Sequence, residues 1–131
     1  MNADLEWHEP TAEDFAKWEW SRLFPSTSTD AWDKLPPSKR RDLVKLWEHS
    51  AKNSAMQWRA AAYTLARAVE YERAVEEAWG DAQADVEASD FTTTNKELRA
   101  LRDHRDNLGR RHTDARARVS GLVAKILGRQ P

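Results

Sequence analysis

The chain has 131 residues, no cysteine, and 21 basic against 22 acidic side chains, for a formal net charge of -1. That length suits one domain, the missing cysteine excludes disulfides and thiolate chemistry, and the near-zero charge provides no global field to draw in DNA or an anionic membrane. Asp4, Glu6 and Glu9 stand where a secretory leader would need a basic and then an apolar run, and the longest apolar run, 60–66, is too short to span a bilayer. A cytoplasmic protein with no membrane partner is expected. Twenty alanines, fourteen Arg to seven Lys and a single isoleucine, Ile126, match the coding bias of a GC-rich genome such as that of an actinobacterium or one of its phages.

Residues 1–37 read as an N-terminal helical cap rich in tryptophan. Thr11 with Asp14 forms a capping box, so a helix is predicted over 12–24, stopped by Pro25. At about 100° per residue, Ala16, Trp20 and Leu23 point one way and Phe15 and Trp18 the other. A helix apolar on two sides must be covered on two sides. A short helical turn at about 30–35 holds Trp32 and Leu35 and ends at Pro36 and Pro37.

Ser38 is expected to cap a long central helix, 38–88, which has no internal proline. Val44, Trp47, Ala51, Ser54, Trp58, Ala61, Leu65, Ala68, Glu72, Val75 and Trp79 alternate by three and four and define its stripe. Asn53 with Ser54, and Gly80 with Asp81, are the two places where the helix could break; the unbroken spacing favours continuity. The loop 89–94 follows. Thr94 with Glu97 then opens a C-terminal basic helix, 95–127, with a stripe of Leu98, Leu101, Arg105, Leu108, His112, Ala115, Val119, Leu122 and Ile126.

So short a loop favours antiparallel neighbours whose facing residue numbers sum to about 182. The fold class expected is all-α: a long antiparallel, coiled-coil-like hairpin with a Trp-rich cap, one domain overall. Three further expectations follow. The eight carboxylates of 69–90 should neutralise the basic helix, where ten Lys and Arg lie in 96–129. Ala60, Ala61 and Ala62 should give Gly121 a close-packed neighbour. Glu72, Arg105 and His112 should gather in one polar layer that fixes register. The N-terminal aromatics, Trp7 among them, should cover the end of the central helix around Trp47.

No His-Glu-x-x-His or Glu-x-x-His run exists, and four glycines cannot build a phosphate-cradling loop or a nucleophile elbow. No catalytic residue, metal ligand or cofactor is assigned. Seven tryptophans are the strongest functional signal, since tryptophan is enriched at interface hot spots. Trp47, Trp58 and Trp79 are assigned to the core, whereas Phe15, Trp18, Trp20 and Trp32 are the expected partner-binding set. The function expected is therefore non-catalytic protein association, with a protein partner or as a homo-oligomer. The alternative is a dimeric DNA-binding regulator whose helix-turn-helix uses Lys39, Arg40, Arg41 and Lys45.

Overall fold

The computed structural model describes residues 5–128, the side chain of Ala51 excepted. The first four residues of the expected cap, Ala51 of the expected stripe and Arg129 of the basic stretch thus lie outside what is described. The fold is all-helical, with no strand among the described residues: α1 (Ala12–Leu23), α2 (Pro37–Glu48), α3 (Ser54–Glu87) and α4 (Asn95–Gly128). Single 3-10 turns stand at Trp32–Lys34 and Ser50–Lys52. Contacts divide the chain into two compact units. One is His8–Thr64; among the described residues the other combines 5–7 with 65–128.

In the first unit, α1 begins as its sequence requires. The Asp14 amide donates to Thr11 Oγ1 at 3.3 Å, and the Thr11 amide donates to Asp14 Oδ2 at 2.9 Å. The long central helix does not run through. α2 starts with Pro37 at its first position, so Ser38 lies inside the helix and does not cap it. After Glu48 the chain makes the 3-10 turn and restarts at Ser54, where Asn53 Oδ1 accepts the Met56 amide at 3.2 Å. Asparagine is among the best N-cap residues and a poor helix interior, and here that local preference overrides the three-four periodicity. The core of this unit is Ala16, Trp32 and Trp47, with Phe15, Trp20, Val44, Met56 and Ala60 packed around it.

In the second unit, α3 and α4 pack against each other as the expected hairpin. Thr94 and Glu97 reciprocate as a capping box at 3.1 and 3.2 Å. Gly80 does not interrupt α3. The core is built from small residues: Ala68, Val75, Ala78 and Ala82 on α3, with Leu108, His112 and Ala115 on α4. The α4 stripe is therefore where the spacing puts it. The α3 stripe is turned, because Ala78 and Ala82 occupy the contact while Trp79 is left 39 % exposed at its edge.

The register differs too. Gln83–Arg105, Trp79–Gly109 and Glu72–Arg116 each have residue numbers summing to 188, against the expected 182. Side chains lean toward their own helix N-terminus, which in an antiparallel pair adds about two to that sum. The rest follows from α4 starting beyond the end of α3. Gly121 gains no close neighbour, since a Cβ there would meet nothing within 4 Å. Gly109 is the packed glycine: its Cβ would lie 3.2 Å from Trp79 Nε1, so its absence lets the indole lie across α4.

Candidate interaction surface

The four residues expected to bind a partner are occupied inside their own unit. Trp32 is 5 % exposed. Trp20 donates its indole N–H to the Asp30 carbonyl at 2.6 Å and stacks on Phe24 at 4.6 Å, with Lys39 Nζ 5.8 Å from its ring centre. On the opposite side of α1, Phe15 stacks on Trp47 at 5.5 Å and meets Tyr63 edge-on at 5.4 Å. Trp18 lies 5.1 Å from Tyr63 and carries the Arg22 guanidinium over its ring. Both sides of α1 are covered, as two apolar stripes demand, but Trp47 of α2 and Tyr63 of α3 supply the second cover. The Phe15 and Trp18 side is thus filled by the chain itself.

The hairpin unit has two unlike sides. One is closed by the N-terminal segment, where Leu5 packs on Ala78, Ala82 and Leu108. The Leu5 carbonyl accepts from Tyr71 Oη at 3.1 Å and from Arg111 Nη1 at 2.7 Å. Trp7 stands edge-on to Tyr71 at 5.7 Å beneath the Arg118 guanidinium at 4.8 Å. This anchoring replaces the expected packing of Trp7 on the Trp47 cluster.

The other side is an open groove of about 740 Å³, lined among others by Trp79, Gln83, Arg105, Gly109, His112 and Arg116. The Trp79 indole forms its wall and stacks on the His112 ring at 5.3 Å and 24°. His112 is 8 % exposed, and its Nε2 is buried with no hydrogen-bond partner among the described residues. Such an atom carries a desolvation cost until a partner group reaches it.

The polar layer does not assemble as one. Glu72 pairs with Arg116 at 3.9 Å, Arg105 pairs with Asp106 at 3.0 Å and reaches Gln83 at 3.4 Å, and His112 sits under Trp79. Six residues of register separate the expected neighbours. Nor do the two helices neutralise each other at ion-pair range. Among the described residues Glu72–Arg116 is the one α3–α4 ion pair, and its arginine side chain is 70 % exposed. Glu76, Glu77, Asp81 and Asp85 on α3, and Arg99, Arg102 and Arg110 on α4, have no ion pair within 4 Å among the described residues.

The basic residues of the DNA alternative lie on α2. Arg40, Arg41 and Lys45 line a groove of about 460 Å³, together with Trp32, Val44, Glu13 and Glu48. Two glutamates therefore interleave the three cations. Lys39 is turned to the Trp20 ring.

Sequence reasoning missed Phe91, 98 % exposed in the hairpin loop, and the open position of Trp79. The loop itself is legible: Asp90 between Ser89 and a run of three threonines is an Asx-turn signal. Asp90 Oδ1 accepts the Thr92 hydroxyl at 2.5 Å and the Thr92 amide at 2.9 Å, and these bonds hold the carboxyl below its ordinary pKa. No helix among the described residues is long and apolar enough to cross a membrane, and no group of three or more His, Asp or Glu there is arranged to hold a metal. No family model, curated protein or solved structure matches this chain.

Proposed function

We propose that this is a cytoplasmic, non-catalytic protein that works by helix-mediated protein association, as an assembly component, an adaptor or a small modulator of a protein target. The surface assigned to that role is the open side of the α3–α4 hairpin. The observation that carries the reading is Trp79, 39 % exposed over a groove lined by arginines and a buried, unpartnered histidine nitrogen. Leaving that much of an indole in water forgoes on the order of 2 kcal/mol of burial, taking roughly 25 cal/mol per Å². Tryptophan and arginine together are the residues that dominate interface energetics.

Trp58 is equally exposed, at 39 %, and serves as the internal control. Trp79→Ser should abolish association, read as sedimentation of the purified chain and as co-purification of any heterologous partner, while Trp58→Ser keeps it. Association that survives Trp79→Ser, or is lost only with Trp58→Ser, contradicts the assignment. Duplex DNA binding through Arg40, Arg41 and Lys45 has less support, because Glu13 and Glu48 share their groove. A DNA shift that weakens steeply with salt would be its signature.

A further inference from the structure

The association reading leaves the partner open, and the charge pattern of the open side narrows it. On α3, Trp79 and Gln83 line the groove, and Glu72 and Glu76 precede them at spacings of four, three and four residues and so on one line of the helix. Glu87 joins that line through its hydrogen bond with Gln83 at 3.0 Å. On α4 the facing edge carries Arg105 with its ion-paired Asp106, Gly109, Arg110 and Arg116, and a seven-residue spacing from Gly109 and Arg116 extends it back to Arg102 and on to Val123, 38 % exposed. The α4 border of the groove is mostly basic, with Asp106 among its arginines, and the line of α3 that continues past the groove at both ends is acidic. Glu72 and Arg116 pair with each other and Arg105 reaches Gln83, whereas Glu76, Glu87 and Arg102 have no partner across the hairpin among the described residues.

From this we infer that the open side is completed by a second copy of the chain, with the two hairpins forming a four-helix bundle about a two-fold axis parallel to the helices. Rotation by a half-turn about that axis exchanges left and right and keeps height. It therefore lays the acidic edge of each α3 on the basic edge of the other copy's α4, with neighbouring helices antiparallel. The other in-plane axis, across the helices, would set Glu72 and Glu76 against themselves and the arginines against arginines, an arrangement that like charge disfavours.

Height decides a finer point. In the observed register the position opposite Glu76 is 112, so the half-turn brings Glu76 of the second copy to the level of His112, whose buried Nε2 lacks a partner. The two Trp79 indoles meet at equal height across the axis. An anchor at the centre with charged pairs at the rim is the usual anatomy of a specific interface.

The inference rests on the association reading above, and its test separates the two. Sedimentation equilibrium of the full chain should give twice the 15.1 kDa monomer mass. Glu72→Lys with Glu76→Lys makes both edges basic, and Arg105→Glu with Arg116→Glu makes both acidic. Each double variant alone should sediment as a monomer with its helical circular dichroism retained. An equimolar mixture should recover the doubled mass, because opposite edges again meet, and a misfolded variant could not do so. A monomeric wild type overturns the second-copy inference while leaving a heterologous partner at Trp79 open to the co-purification test. A dimer that survives in both variants, or two monomeric variants that fail to combine, overturns the four-helix arrangement.

Discussion

The two units have cores of different make and reach different degrees of closure. In His8–Thr64 rings pack on rings: Phe15 on Trp47, Trp18 on Tyr63 and Trp20 on Phe24, around a buried Trp32. A buried aromatic hides roughly 150–250 Å² apiece, so twelve-residue helices can form a core when they carry several. The hairpin uses alanines instead. Ala68, Ala78, Ala82 and Ala115 let two helices of 34 residues approach closely, yet each hides little surface, and one side of the pair stays open. Tryptophan thus marks two different things in one chain: a core where rings find rings, as at Trp32 and Trp47, and an open position, as at Trp58 in the same unit and at Trp79 over Gly109 in the hairpin, each 39 % exposed.

The largest effect that can test this contrast is truncation of an aromatic core residue. Trp47→Ala or Trp32→Ala should cost about 3–5 kcal/mol in urea unfolding, the range for deleting a buried large aromatic. Trp79→Ala should cost far less, because that residue is already 39 % exposed. Equal losses would mean that Trp79 is core after all. Next come the glycines of the hairpin. Gly80→Ala and Gly121→Ala meet no atom within 4 Å and should each raise stability by about 1 kcal/mol through helix propensity. Gly109→Ala should gain less or lose, since its methyl group meets the Trp79 indole, and the tryptophan fluorescence of the chain should shift only in that variant.

Asn53→Ala should lower stability by about 1 kcal/mol, the usual value of an N-cap, and its amide-exchange signature should centre on the first turn of α3. An unchanged stability would mean that the break after α2 does not depend on the cap. Smallest is the acid response of the hairpin loop. Asp90 has a folded-state pKa below its unfolded value of about 3.8, so its contribution is present above that value and is lost as pH falls through the lower, folded one. Asp90→Asn should remove that dependence below about pH 4, with loop amide shifts followed by NMR.

Much of this fold is legible from the sequence because its signals are local. The boxes Thr11–Asp14 and Thr94–Glu97 start α1 and α4 where the pattern puts them, and the α4 stripe through Leu108, His112 and Ala115 is the buried one. What fails is whatever depends on a sum of small angles. A strict seven-residue repeat drifts by about 20° per heptad on a straight helix, so the line Trp58, Leu65, Glu72, Trp79 runs beside the contact instead of along it. Both tryptophans end 39 % exposed, and the expected core assignment holds for Trp47 alone. The polar layer fails for the related reason that a register offset of six residues sends Glu72 to Arg116. Phe15 and Trp18 were legible as a second apolar side, whereas nothing in their spacing says that Trp47 and Tyr63 fill it.

Amide hydrogen exchange of the full chain across a concentration series tests the central contrast most directly. The account predicts that protection in 72–87 of α3 and 102–116 of α4 rises with protein concentration, while α1 and α2 exchange at the same rates throughout. A concentration-dependent gain confined to α1 and α2, or none in the hairpin at any concentration, would contradict it.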